Sequence, residues 1–338
     1  MTAGFGGPAR RAVRYARHNP LLPVLAVLLV GLAARYDGFA TVANGRNIAV
    51  QASPLIIMSV GMTYVIMTAG IDLSVGSMLF LAAAIETSSA LVDRNAAVAL
   101  AGVLAATTLM GAINGAGVAL TRVPALVVTL ATMQVFRGAG GHLTRQQNIT
   151  VPADLRWIGT ATWLGIPVPV LVAVLVVVAG VMVLGRTVFG RYVQAVGSSQ
   201  SSAEGAGLPV RPVIVGAYTV AGLLAGVAAL IQTARLGAVQ PSIGQGYELT
   251  VITAVVLGGT SLFGGRGSVG GSVLGALVLT TVQTGLVYAN ASPYLFDIIR
   301  GGVLLAAVLA AGTRWRATLL PARRRRTPAP HDAAPAAQ

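Results

Sequence analysis

Cysteine is absent from the 338 residues, and so is lysine. The first absence excludes disulfides, thiolate metal sites and a cysteine nucleophile. The second makes all 23 basic residues arginine, and against nine acidic residues they leave a net charge of +14. Charge of either sign is scarce, at 9% of residues, where a soluble domain carries about 25%. The three histidines, His18, His142 and His331, have no metal-ligand spacing. The glycine-rich stretches, at Gly4-Phe5-Gly6-Gly7 and again after residue 258, lack the Lys-Ser/Thr of a phosphate-binding loop. The chain therefore carries no catalytic residue, metal site or cofactor motif, and it is not expected to bind ATP itself. Its basic character does not point to nucleic acid, because the arginines sit at the ends of apolar runs and not on a folded basic domain.

What is present is oil. Hydrophobic residues make up 55% of the chain and the mean hydropathy is +0.78. Apolar runs follow one another with polar segments between them, none long enough for a separate domain. This predicts an all-α, polytopic integral membrane protein with about ten transmembrane helices, some short or broken. The spans are expected at 21–34, 48–68, 75–92, 96–120, 125–141, 166–184, 213–233, 249–257, 268–288 and 294–311. The eighth is too short to cross alone, since a crossing helix needs ~20 residues. Residues 1–20 form a basic N-terminal segment, with the first span retained and not cleaved. Residues 21–311 form the membrane body, and 312–338 a disordered tail. Trp157 and Trp163 are expected at the membrane interface.

With the N-terminus inside, alternation of ten spans puts fifteen arginines on the inner side and six outside, with Arg137 and Arg300 within spans. That imbalance predicts both termini in the cytoplasm. Glycines at 216, 222 and 226, and at 270, 271 and 275, are expected to let helices approach closely.

One stretch breaks the apolar rule. Gly70-Ile71-Asp72-Leu73-Ser74-Val75-Gly76 separates two spans, and irregular backbone at membrane depth must be buried in protein or wetted. Gly70, Asp72, Ser74 and Gly76 are read as a structural joint, in which Asp72 and Ser74 accept bonds from free N–H groups at the start of the next helix. A weak echo of the break runs from residue 252 to 264. The other ionisable residues in or near spans are Glu86, Arg137, Glu248, Asp297 and Arg300. They form either the polar rim of a substrate pathway or mutual pairs and snorkelling side chains. Asp297 and Arg300, three apart, share a helix face and are expected to pair.

The run Gly61-Met62-Thr63-Tyr64-Val65-Ile66-Met67-Thr68-Ala69-Gly70-Ile71-Asp72-Leu73-Ser74-Val75-Gly76-Ser77 resembles the signature of membrane permeases from ribose/xylose/arabinose-type ABC sugar importers. Asn114-Gly115, Pro124, Val128-Thr129-Leu130-Ala131-Thr132-Met133 and Arg137-Gly138 resemble a second family block. Gly190-Arg191-Tyr192, Ala234-Arg235-Leu236-Gly237, Gln240-Pro241, Gly244, Gly246-Tyr247-Glu248-Leu249 and residues 255–267 resemble a third. The likeness implies a non-catalytic pore subunit of an ATP-driven monosaccharide importer in the bacterial plasma membrane. It implies as partners a cytoplasmic ABC ATPase, an extracytoplasmic sugar-binding protein and a second permease copy. A cytoplasmic coupling segment would fall at 197–210, carried by Gln200, Ser201, Ser202, Ala203, Glu204, Gly205 and Gly207. Here the chain departs from the pattern, with Glu204 where a basic residue is usual and Gly205 at a cost of about 1 kcal/mol inside a helix. An importer of autoinducer or branched-chain amino acids is the nearest alternative. An ion-coupled secondary transporter using Glu86 or Asp72, and a non-transporting scaffold, are rivals of other classes.

Overall fold

A computed structural model of the chain describes residues 20–88, 91, 95–121 and 123–319, with side chains omitted at 307 and 310–319. The arginines at 10, 11, 14, 17, 122 and 323–326, and the turn at 93–94, lie outside the described residues. Helices dominate, as composition predicts: α1 (Leu21–Arg35), α2 (Val42–Met67), α3 (Val75–Glu86), α4 (Ala96–Leu120), α5 (Ala125–Thr144), α6 (Trp157–Thr160), α7 (Val168–Arg186), α8 (Val188–Ser198), α9 (Gln200–Gly205), α10 (Val210–Leu236), α11 (Tyr247–Leu257), α12 (Val269–Tyr288) and α13 (Pro293–Leu319). Four two-residue strands form two antiparallel pairs, Ile149–Thr150 with Ala238–Val239 and Thr162–Trp163 with Ile166–Pro167. Among the described residues, α2, α4, α7, α10 and α12 are long and apolar enough to cross a membrane, and α1, α3 and α11 are shorter apolar helices. With α5 and α13 these account for the ten expected segments.

Short polar side chains start the helices where the sequence places them. Thr41 Oγ1 accepts from Asn44 N at 3.2 Å, Asn95 Oδ1 from Val98 N at 3.0 Å and Ser268 Oγ from Gly271 N at 3.0 Å. Each satisfies one of the orphan N–H groups at a helix start. Several boundaries differ from expectation. Helix α2 starts at Val42, six residues before the expected 48, and α10 extends three residues beyond expectation at each end. The third span stops at Glu86, with Thr87 as its C-cap. The last helix continues past Gly312 to Leu319, so the first part of the tail expected to be disordered is helical.

Helix α2 is the hub. It is buried without interruption from Ala52 to Met67 and packs on α7, α10 and α12. Helix α10 packs most extensively on α4. Glycine explains that approach: a Cβ on Gly111 would meet the Tyr218 carbonyl and Gly222, and one on Gly222 or Gly226 would meet Thr107. Two glycine pairs four apart, Gly111 with Gly115 and Gly222 with Gly226, thus let the backbones touch where lipid supplies no hydrophobic drive between helices. The other glycine set also reaches its neighbour, with Gly271 against Gly258 and Gly275 against Ala254.

Contacts between loops sort them into two groups at opposite ends of α2 and α10. The α1–α2 turn meets the end of α12, with Tyr288 Oη donating to the Gly38 carbonyl at 3.3 Å. The strand after α5 pairs with the strand after α10. At the other end the exits of α2, α8 and α11 converge.

Candidate functional site

The joint is a fully buried polar knot. Helix α2 ends at Met67, and Gly70 N donates to Val65 O at 3.1 Å while Ala69 N donates to Ile66 O at 2.9 Å. These are the 6→1 and 5→2 bonds of a left-handed helix stop. The left-handed residue is Ala69, at φ +62°, a position usually given to glycine. Gly70 is required for space, because a Cβ there would lie 2.6 Å from Tyr218 Oη. The chain then runs irregularly to Ser74, and a short helix, α3, follows.

Asp72 is 0% exposed. Its Oδ1 accepts from Ser74 N at 2.8 Å and from Ser74 Oγ at 2.7 Å. Asn114 of α4 donates to Ser74 Oγ at 2.7 Å and lies 3.4 and 3.5 Å from the two Asp72 oxygens. The Ile71 carbonyl accepts from Thr129 of α5 at 3.1 Å and Tyr218 of α10 at 3.3 Å. One irregular segment is therefore tied to three helices, which answers the demand that backbone off a helix be satisfied by protein. The capping expectation needs correction. Ser74 makes no side-chain bond to the start of α3; the Asp72 carboxylate closes a two-residue turn on Ser74.

The echo near residue 252 has the same geometry. Helix α11 ends at Leu257, Thr260 N donates to Val255 O at 3.2 Å and Gly259 N to Val256 O at 2.9 Å. Val65, Ile66 and Met67 thus correspond in place to Val255, Val256 and Leu257. The first half of each break is one motif used twice.

The starts of the two short helices also meet. A Cβ on Gly76, in the first turn of α3, would meet the Gly244 carbonyl and Glu248 Oε2. A Cβ on Gly244, at φ +77°, would meet the Gly76 carbonyl. Glu248 lies in the first turn of α11. Its carboxylate thus serves two positive helix ends. It also feels the guanidiniums of Arg137 and Arg300.

Arg137 reaches from α5 to donate to the carbonyls of Ile243 at 2.9 Å and Pro241 at 3.4 Å, with its guanidinium 4.8 Å from the Phe80 ring centre. Arg300 reaches from α13 to the Gly246 carbonyl at 2.9 Å and Thr250 Oγ1 at 2.8 Å. Two arginines from different helices thereby hold the loop that leads into α11. Arg300 also pairs with Asp297 at 3.0 Å, as the spacing predicts, and Asp297 is 59% exposed. Of the five residues considered for a pathway, the structure gathers Arg137, Glu248, Asp297 and Arg300 around this loop. It sets Glu86 apart: Glu86 is 1% exposed and accepts from Thr233 Oγ1 at 2.7 Å.

The segment at 197–210 folds as the last residues of α8, then α9. Ser199 caps α9, accepting from Ser202 N at 3.2 Å. The helix closes with Leu208 N to Ala203 O at 3.0 Å and Gly207 N to Glu204 O at 2.9 Å, Gly207 being left-handed at φ +74°. Gln200, Ser201, Ser202, Glu204, Gly205 and Gly207 are exposed and Ala203 is buried. Gly205 is the final helical residue with nothing within 4 Å of a Cβ, so the cost expected of a mid-helix glycine does not arise. Thr129 and Gly244 fall inside the family blocks, whereas the supporting residues Tyr218 and Thr233 carry no motif by type or spacing that marks them as a site. Asn114, a lone amide in an apolar span, does.

Comparisons with known proteins agree with this geometry. A family model described as branched-chain amino acid transport system / permease component matches residues 44–308. The ribose import permease protein RbsC of Escherichia coli K12 is 41% identical over 293 residues, which is 85% of this chain and 91% of that protein. RbsC of Bacillus subtilis 168 is 37% identical over 84% of this chain and 89% of its own. The D-allose transport system permease protein AlsC of Escherichia coli K12 is 33% identical over 85% of this chain and 88% of its own. No solved structure matches the chain.

Proposed function

The chain belongs to the branched-chain amino acid transport system / permease component family, and from that premise we propose that it is the pore subunit of an ATP-driven importer of a monosaccharide. The observation that carries the sugar over the amino acid is the identity of 32–41% with permeases named for ribose, D-allose, galactofuranose and L-arabinose. The geometry supports a passage, because two broken helices lie at the centre of an apolar bundle.

In this reading ATP is hydrolysed on a cytoplasmic partner, and a sugar-binding protein delivers substrate from outside. A second permease copy completes the pore, and both termini are cytoplasmic. The exposed turn from Gln200 to Gly207 docks on the ATPase, with Ala203 anchoring it to the permease. Motion of that turn rocks the bundle between access to either side. Arg137, Glu248 and Arg300 hold the loop before α11 on the outer route, where polar groups near lipid mark a pathway.

Deletion of the gene from its host tests the substrate class. Uptake of one labelled monosaccharide should be lost, with labelled leucine uptake unchanged. Loss of leucine uptake with every pentose and hexose still taken up contradicts the proposal.

A further inference from the structure

The buried face of α8 ends where both chain breaks meet. Along α8 the buried residues are Gly190, Val193, Val196 and Gly197, one stripe of the helix. At its end a Cβ on Gly197 would fall on the Met67 carbonyl oxygen and lie 2.6 Å from Gly265 N. Gly265 N itself donates to that same Met67 carbonyl at 3.0 Å. A Cβ on Gly264 would lie 2.6 Å from Gly197 O and 2.9 Å from the Ala69 Cβ, and one on Gly265 would lie 2.9 Å from Ser198 Cα. Three backbones thus touch at one point: the exit of α2, the exit of α11 and the end of α8. One helical turn from Met67, Thr63 and Ser272 face each other with hydroxyl oxygens 2.7 Å apart, joining α2 to α12 on the far side of the second break.

We infer that Gly197, Gly264 and Gly265 are positioning residues, through which displacement of the α8–α9 segment enters both broken helices at once and moves them as one unit. The inference rests on the coupling role proposed for residues 197–210. Packed interfaces answer a push by shifting between discrete arrangements, not by deforming. Contact without side chains leaves no flexible group to absorb the displacement. The Met67 carbonyl, freed by the end of α2, accepts from Gly265 N of the second break, so the two breaks share one hydrogen bond.

The test uses the complete importer reconstituted in vesicles, reading sugar moved per ATP hydrolysed. Gly265→Ala and Gly259→Ala are a matched pair. Both glycines are left-handed, at φ +71° and +89°, and both lie in the second break, but nothing lies within 4 Å of a Cβ on Gly259. Gly259 also occupies the place that Ala69 fills in the first break at φ +62°, so alanine is tolerated there. Gly265→Ala should lower the transport-to-hydrolysis ratio at least tenfold while the complex assembles, and Gly259→Ala should change it less than twofold. Equal ratios in the two variants overturn the inference.

A second arm does not depend on Gly265→Ala folding. In this cysteine-free chain, Thr63→Cys with Ser272→Cys can be oxidised to a disulfide across the 2.7 Å hydroxyl pair. If both breaks move together, the oxidised protein transports as the reduced one does. Loss of transport on oxidation, restored by dithiothreitol, overturns the inference. A Ser202→Trp, Glu204→Arg variant separates the inference from its premise. Uncoupling there supports the coupling role, whereas normal coupling removes that role and the inference with it. Normal coupling in Gly265→Ala alone removes only the inference.

Discussion

Asn114→Ala should loosen the joint more than any other single truncation of its polar partners. Asn114 is 0% exposed, and its amide gives the 2.7 Å bond to Ser74 Oγ and the only contact from another helix to Asp72 among the hydrogen bonds of the described residues. Leaving a buried hydrogen-bonding group without its partner costs about 1–3 kcal/mol. The small cavity left by the amide adds roughly 1 kcal/mol. A loss of about 2–4 kcal/mol corresponds, at about 2.1 cal/mol/K of unfolding entropy per residue, to a drop of roughly 3–6 °C in apparent Tm. Tyr218→Phe provides the comparison. It removes one 3.3 Å bond to the Ile71 carbonyl, which keeps the 3.1 Å bond from Thr129, so the cost is no more than about 1 kcal/mol. Both variants can be heated in detergent and scored by the surviving monodisperse peak. Equal shifts, or a shift below about 1 °C for Asn114→Ala, would refute the claim that Asn114 secures the break.

Two further outcomes follow from the packing and the loop before α11. Gly222→Ala places a methyl against the Thr107 carbonyl and the Gly111 Cα at 2.8 Å, so it should cost about 1–3 kcal/mol through overpacking. Gly31→Ala, with nothing within 4 Å, should leave melting unchanged. Arg300→Ala removes two bonds that hold the loop before α11 and should cost about 2–3 kcal/mol while slowing sugar uptake. Asp297→Ala, on the exposed side of the pair, should cost no more than about 0.5 kcal/mol. Similar effects on melting and uptake from the two would contradict the assignment of Arg300 to the loop.

The first break was legible because an aspartate amid apolar residues has few physical excuses. Its partners were less so. The Asp297–Arg300 pair could be read from spacing, since residues three apart share a helix face. Arg137 could not be placed, because it binds backbone carbonyls, and a carbonyl leaves no trace in residue type. The end of α2 was legible to within one residue, but not its left-handed stop, which falls on Ala69 where glycine is usual. Glu86 looked like a rim residue by hydropathy, yet the helix stops beside it and Thr233, 147 positions away, covers it. The junction of Met67, Gly197 and Gly265 was likewise invisible. Each glycine alone is ordinary in a membrane helix, and only the fold brings together three backbones so far apart in sequence.

The most direct measurement of the central claim, a passage without its own motor, is uptake of labelled sugar into vesicles holding the purified chain. Alone, with or without nucleotide or an ion gradient, it should accumulate nothing against a gradient. Supplied with its ATPase, its binding protein and ATP, it should concentrate the sugar, and uphill accumulation by the chain alone would contradict the account.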